Sequence, residues 1–549
     1  MLALLMALIA LGALPGCASA PTASLPAQRS AVSYPPTVSG SPPVGGPIIS
    51  PGGPYLYDKE GRVVIFHGVN AVYKLPPYEL YPDPGKPWDL SASDASLMGR
   101  LGFNVVRLGM TWKGLEPGTA PANDPSICTP GSPHDPGQFD ESMLEDYLAK
   151  LTKTVDLLGR FHIYTILDMH QDVYNELLDG EGFPNWAVCT SGEAISHPLK
   201  PWSLNYRTAA AAAAYQNFWA NDVVGDLQGE YDRVWAAVAS HFRNNPWVLG
   251  YDPFNEPFSQ SLMTVGRQQF DAELECFYTG TKYVGAPSSG APAFTCPIQD
   301  PSVGVIPTIL QSDPNHLIFY EPDIFTAGGA PNYLGAMDFG NLVFNVHVYC
   351  RYRNKKTGNP TNLTACAAQQ AISLGERLED RSGLASPAQP AGPALFVSEF
   401  GATSNTDLLS QFTAAMNESS VGWTYWSWKY YDDPTGSTDE ALVLSNGHLR
   451  STVEELSQTY PEAIAGVPIS FSFDPITGSF HLLYKPEHSI RAPTVIFVPS
   501  QIHYPHGYCA RVIGGKVISN PTSELLEVRN ASVGNSVRID VSSGACRPM

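Results

Sequence analysis

The chain has 549 residues, enough for a barrel-sized core with an appended domain, and its 43% hydrophobic content is ordinary for a packed globular protein. Its formal charge is -20, from 32 Lys and Arg against 52 Asp and Glu. That balance excludes nucleic acid as a partner, because such binding needs a basic footprint, and any anionic ligand would have to be met by locally placed cations.

The first apolar run, Leu2 to Leu14, is too short to span a bilayer but has the length of a secretory signal core, so residues 1–17 are predicted to be an export signal. Its ending, Leu14-Pro15-Gly16-Cys17, resembles a bacterial lipobox, in which Cys17 would carry the lipid of a surface-anchored form; plain secretion is the alternative. Residues 18–51 are rich in Pro, Ser, Ala and Gly with almost no charge, the composition of an extended tether. Cysteine usage agrees with an extracellular location. Beyond Cys17 there are Cys128, Cys189, Cys276, Cys296, Cys350, Cys366, Cys509 and Cys546, with no CxxC spacing, so disulfides are expected and not a zinc site. Sequence neighbours suggest Cys276 with Cys296, Cys350 with Cys366 and Cys509 with Cys546, leaving Cys128 for Cys189.

Eight short apolar runs follow: Val63 to Asn70, Asn104 to Met110, His162 to His170, Val248 to Asn255, Leu317 to Pro322, Leu342 to Tyr349, Ala394 to Phe400 and Gly422 to Trp428. Between them lie stretches of helical period, such as Ser142 to Leu158 and Tyr231 to Phe242. Strand and helix alternating eight times, with strands apolar throughout, predicts a (β/α)8 TIM barrel over residues 52–459, since a parallel sheet is buried on both faces. From residue 460 to 549 the pattern changes to alternating runs at Ile469 to Phe473, Phe480 to Tyr484, Thr494 to Val498 and Val537 to Val541, which predicts a small accessory β-sandwich.

In such a barrel, reacting groups emerge at the C-terminal strand ends. The runs finish there in polar residues: Arg107, Asp168 to Asp172, Asn255-Glu256, His347 to Tyr349, Glu399 and Trp426. So many polar groups on one rim would cost several kcal/mol unless they bond one another around a ligand. Two glutamates delivered by separate strands are the pair that glycoside hydrolysis needs, one to protonate a departing oxygen and one to attack the sugar carbon.

Asn-Glu-Pro after the fourth run, Glu399 after the seventh, Arg107, Asp168-x-His170, His347-x-Tyr349 and Trp426 together resemble glycoside hydrolase family 5. More narrowly, His67 to Asn70, Lys74 to Tyr78, Asp168 to Tyr174 and Trp423 to Asp433 look like endoglycoceramidases, over roughly residues 55 to 545. The resemblance implies a retaining hydrolase that cleaves the β-glucosidic bond between oligosaccharide and ceramide in glycosphingolipids, as a monomer at a membrane or micelle surface, with no metal or organic cofactor. Alternatives within the family are an endo-galactosylceramidase, a glucosylceramidase or sterylglucosidase, and a β-1,4-glucanase; a non-catalytic glycolipid-binding protein would be expected to lack one carboxylate.

The roles follow from chemistry as well as likeness. Glu256 is expected to be the general acid/base, with Asn255 holding a substrate hydroxyl beside it, and Glu399 the nucleophile. Arg107 and Tyr349 would hold Glu399 ionised and His347 would support the same wall. Trp426 would stack under the reacting sugar, while the resemblance gives His170, Asp172 and Lys74 to the sugar hydroxyls. After the third run, Val173 to about Gly229 is a long insertion carrying Phe183, Trp186, Trp202, Phe218 and Trp219, with a helical alanine run at Ala209 to Ala214. It is read as part of an apolar groove for the ceramide chains, against the alternative of a cap that buries its own aromatics.

Overall fold

The computed structural model describes residues 46–118, 140–196, 198–221, 226–259, 266–280, 304–354, 357–436 and 440–546. The predicted export signal and Cys17, Cys128 and Cys296 lie outside the described residues.

Eight strands close into a barrel: β1 (His67–Ala71), β2 (Val105–Met110), β3 (Tyr164–Met169), β4 (Val248–Asp252), β5 (Leu317–Tyr320), β6 (Leu342–Val348), β7 (Ala394–Gly401) and β8 (Gly422–Trp426), which returns to β1. Every neighbouring pair is parallel. β1 to β7 are buried at every residue, which is why these strands read as continuous apolar runs. Closure leaves no room for a side chain at Gly68, where a Cβ would stand 1.8 Å from the carbonyl oxygen of Val105 on β2. Outside the barrel, the helix Glu141–Arg160 starts where Asp140 accepts from the amides of Ser142 and Met143, and it buries Leu144, Leu148, Leu151, Val155 and Leu158.

The C-terminal region forms a β-sandwich of two antiparallel sheets. One has the order Gly466–Asp474, Ser479–Pro486, Val537–Ser543 and Tyr508–Ile513. In its first strand, Phe471 and Phe473 are buried while Ser470 and Ser472 are exposed, the alternation expected of a sheet with one wet face. The other sheet joins Tyr460–Ile464, Thr494–Phe497, Leu525–Asn530 and Gly515–Val517 to Leu56–Tyr57 and Val63–Val64 from the front of the chain. The first apolar run is therefore two strands, not one: Val63 and Val64 pair with Ile464 and Ala463, and His67 begins the barrel. Burial of both pieces hid the break. The stretch read as tether is described from residue 46, and its end packs on the barrel, where Ile48 is buried and the Ser50 hydroxyl donates to Leu342 O at 2.8 Å.

Phe471, Phe480, Leu482, Ile496, Leu526 and Ile539 share one apolar cluster with Val105, Tyr164, Ile166, Leu249, Phe319 and Phe396. All of these barrel residues but Phe319 lie in the N-terminal halves of their strands, so the sandwich closes the floor of the barrel, opposite the C-terminal rim. At that junction Gly102 (φ +82°) has no space for a Cβ, which would stand 2.3 Å from the Phe497 ring. Cys350–Cys366 and Cys509–Cys546 form as expected; Cys189 and Cys276 are also disulfide-bonded.

Candidate active site

Beneath the rim, Arg107 projects inward from β2 with no exposure and binds around the whole ring. Its Nε donates to Asp252 at 2.9 Å, Nη1 to Glu399 at 2.7 Å and to Asn70 at 3.2 Å, and Nη2 to Asp168 at 2.9 Å, Asn255 at 2.8 Å and Glu321 at 3.0 Å. A buried guanidinium amid four carboxylates is tolerable only because its donors find acceptors. Burial, with Glu321 beside it, pushes the Asp252 carboxyl well above its ordinary range, against the pull of Arg107.

Glu256 follows β4 in a left-handed backbone conformation, φ 44°, which an L-residue holds only when neighbours fix it. Here its N–H donates to Glu321 Oε2 at 2.9 Å, and Gln171 Nε2 donates to the carbonyls of Asn255 at 3.0 Å and Glu256 at 3.2 Å. The turn aims the Glu256 carboxyl at the β6 residue His347, whose Nδ1 is 2.9 Å from Glu256 Oε1 and 3.4 Å from Glu399 Oε2. The other imidazole nitrogen lies 3.1 Å from Glu321 Oε1. Burial opposes charge on His347, but the carboxylates of Glu321 and Glu399 outweigh it and raise its pKa well above the usual value. Burial raises Glu256, partly offset by His347 and reinforced by Glu399.

Both oxygens of Glu399 are occupied: Oε1 accepts from Arg107 and Oε2 from the Tyr349 hydroxyl at 2.8 Å. One oxygen of Glu256 and one of Glu399 lie within 4.8 Å of each other. An oxygen contact that short fits the close class of carboxylate pair, about 5 to 5.5 Å between carboxyl groups, which leaves room for a covalent sugar intermediate, better than the wide class, about 6.5 to 9.5 Å, which accommodates a water.

The opposite wall is built from the loops after β1, β3 and β8. Lys74 Nζ contacts Asp172 at 2.6 Å, Thr435 at 2.8 Å and Glu181 at 3.1 Å, and stands 4.9 Å from the centre of the Trp426 ring. His170, bonded through Nδ1 to Asp168 at 2.8 Å, stacks parallel to Trp426 with centroids 5.4 Å apart. His170, Asp172 and Glu181 are grouped as metal ligands can be, but the Lys74 ammonium already supplies their cation. Burial works against Lys74's charge, and Asp172 and Glu181 outweigh it to raise its pKa.

Lys74, His170, Asp172, Asn255, Glu256, Tyr349, Glu399 and Trp426 all line one pocket of about 110 Å³, while Arg107 and His347 lie buried beneath it. Sequence reading missed Glu321, Asp252 and Asn345 in the ring below, and Thr435, Arg353 and Glu440 at the pocket wall. Glu321 was findable, since it stands directly after the apolar Leu317–Tyr320, the same position that singled out other strand ends.

The long insertion departs from the groove reading. Phe183, Trp186, Phe218 and Trp219 are buried and pack edge-on with Trp112, Tyr231, Phe254 and Phe277, so these four form the self-burying cap. Such rings gain more from mutual contact and dehydration than from lining an open channel. Trp202 alone of the five reaches the pocket. The alanine run does form a helix, Ala209–Ala220, capped by Thr208.

A family model described as Cellulase (glycosyl hydrolase family 5) matches residues 85–432, and one described as Glycoside hydrolase family 5 C-terminal domain matches residues 458–541. Endoglycoceramidase I of Rhodococcus hoagii (strain 103S) is 28% identical over 488 residues, 87% of this chain and 84% of that protein. The endoglycoceramidase of Cyanea nozakii is 28% identical over 496 residues, 84% of this chain and 86% of that protein. Among solved structures, endo-glycoceramidase II from Rhodococcus sp. in its ganglioside GM3 complex superposes with a TM-score of 0.66 at 23% identity, covering 90% of this chain and all (100%) of that one, a likeness of fold.

Proposed function

The chain belongs to glycosyl hydrolase family 5, and from that premise we propose that it cleaves the β-glucosidic bond between oligosaccharide and ceramide in glycosphingolipids, with retained configuration. The observation that carries the reading is the close pair Glu256 and Glu399, bridged by His347, in a pocket whose far wall offers Trp426 and a cluster of polar side chains. The relatives named endoglycoceramidase, matched over most of both chains, favour the glycolipid among family substrates.

In this mechanism Glu399 attacks the anomeric carbon while Glu256 gives its proton to the glycosidic oxygen, and ceramide leaves as the neutral alcohol. The raised pKa of Glu256 supports the donor role, because the carboxyl must hold its proton near neutral pH. Glu256, now ionised, takes a proton from water, whose oxygen attacks the same carbon and breaks the Glu399 ester. The free sugar leaves with both carboxyl groups restored. Arg107 and the Tyr349 hydroxyl orient Glu399, Trp426 supports the sugar's apolar face, and Asn255, His170, Asp172 and Lys74 face its hydroxyls. Trp202, beside the pocket and inside the insertion, supports a second aromatic contact to the glycan.

Disulfides support export, and a lipid-linked substrate supports work at a membrane or micelle surface. Lipid attachment at Cys17 remains the anchored variant of that location. The test is incubation with a ganglioside, lactosylceramide and glucosylceramide, with products weighed by mass spectrometry. Free ceramide together with intact oligosaccharide is expected; release of glucose from glucosylceramide alone overturns the reading.

A further inference from the structure

The line from Glu256, after β4, to Glu399, on β7, divides the barrel mouth in two. On the β8, β1, β2, β3 arc stand Trp426, Lys74, His170 and Asp172, the wall suited to a sugar. A sugar seated there with its anomeric carbon between the carboxylates must send its leaving group towards the β5–β6 arc. That arc gives the pocket Tyr349, Arg353 and Gly358. The Tyr349 hydroxyl is already bonded to Glu399 and Gly358 has no side chain, so Arg353 is the polar group left to meet the leaving group.

Arg353 is held ready for that task. Its guanidinium carbon lies 4.5 Å from the centre of the Tyr349 ring, a cation-over-ring contact that fixes its height in the pocket. Its backbone pairs with Pro360 and the loop is tied on both sides, by Thr361 N–H donating to Tyr352 O at 2.7 Å and by the Cys350–Cys366 disulfide. Gly358 (φ +71°) lets the loop press against the β7 side, where a Cβ would stand 1.6 Å from Ala402 O. Yet the guanidinium carries no hydrogen bond or ion pair among the described residues. In a chain of net charge -20, with carboxylates elsewhere in this same pocket, a half-exposed arginine left without a carboxylate is a group arranged for a ligand.

We propose that Arg353 reads the N-acyl amide of the lipid leaving group and rejects a glycolipid whose sphingoid nitrogen is a free amine. In a ceramide glycoside the amide nitrogen is on the carbon next to the one bearing the glycosidic oxygen, so its carbonyl falls just beyond the scissile bond. A guanidinium has five N–H donors and no acceptor; it bonds that carbonyl and repels the ammonium that replaces the amide in a deacylated lipid. The proposal rests on the glycolipid reading above and names the feature of the lipid that the site selects.

The test compares kcat/KM on lactosylceramide with that on its deacylated form, lactosylsphingosine, in the same detergent micelles, following lactose release. The wild-type chain favours the N-acylated lipid. In Arg353→Gln the ratio of the two falls by about tenfold or more, and in Arg353→Lys, which keeps the repulsion and loses the fork, it falls less. Because the ratio is taken within each variant, any loss of folded protein cancels. A ratio in Arg353→Gln equal to that of the wild type overturns the role of Arg353 and leaves the glycolipid reading standing. A wild-type chain that releases lactose from neither lipid overturns both.

Discussion

The side chain of Glu321 holds the main chain of Glu256: Oε2 accepts the Glu256 N–H at 2.9 Å, across 65 residues of sequence. The same carboxylate accepts from Arg107 at 3.0 Å and stands 3.1 Å from His347 Nε2. One buried group on the fifth strand end thus fixes the backbone of the proposed proton donor and the charge of the imidazole between the two glutamates.

Glu321→Gln is therefore expected to damage turnover more than binding. The amide keeps the size of the side chain, but its NH2 cannot accept from Arg107 or His347 while its oxygen still faces Glu256. We expect kcat to fall about 100-fold, the scale of a misplaced reacting group, with KM changed by less than about threefold. Steady-state kinetics on lactosylceramide separates the two; a rise in KM at constant kcat would instead mark Glu321 as part of substrate binding.

The two glutamates are distinguished by their dependence on the leaving group. Glu256→Ala should lower kcat/KM on the glycolipid by about 10³-fold, because an alkoxide cannot leave unprotonated, and far less on a dinitrophenyl lactoside, whose phenolate needs no proton. Glu399→Ala should lose both activities. Equal losses in the Glu256 variant on the two substrates would remove the acid assignment.

How far the sequence foretold this arrangement depends on which way each side chain faces. All eight barrel strands were legible, because a strand buried on both faces leaves an unbroken apolar run, and the motif around Glu256 marked its own place. The ring beneath was not. Asp252 closes an apolar strand and Asn345 sits within one; Asn345 Nδ2 donates to Asp252 Oδ2 at 2.8 Å and Asp252 in turn accepts from Arg107, and a polar letter in such a run gives no direction by itself. The aromatic insertion failed for the related reason that composition counts rings and does not orient them. Phe183 and Phe218 meet edge to face with centroids 5.1 Å apart in the cap, whereas Trp202 lines the pocket.

Glu462, in the sandwich sheet next to the barrel floor, should make stability depend on pH. Burial, eased by the Tyr460 hydroxyl and Arg62, raises its pKa to about 7. A group raised above its unfolded value of about 4.3 contributes stability that is full below that value and is lost as pH rises through about 7. Glu462→Gln mimics the protonated form. It should leave stability unchanged at pH 4 and increase it at pH 8, by up to about 4 kcal/mol for a shift of this size. Urea unfolding at the two pH values checks this, and a variant less stable at pH 8 would contradict it.

Lys74 carries the opposite dependence for the sugar-side wall. Burial alone would raise Asp172, but Lys74 and His170 outweigh it and hold the carboxyl below its ordinary range, so its contribution is present above about pH 3.9 and is lost as the pH falls through the lowered value. Lys74→Met leaves Asp172 and Glu181 buried together without their shared cation. Breaking such a group from one side costs about 3 to 5 kcal/mol at neutral pH, since the remaining charges stay desolvated. Asp172 then titrates upward, beside a Glu181 whose carboxyl burial already raises well above its ordinary range, and the sign of the dependence reverses: the deficit against wild type should be largest at pH 7 and shrink towards pH 5 as Asp172 takes up its proton. Thermal unfolding of both proteins across that range measures the deficit directly, and one that grows towards acid pH would mean that Lys74 does not neutralise this pair.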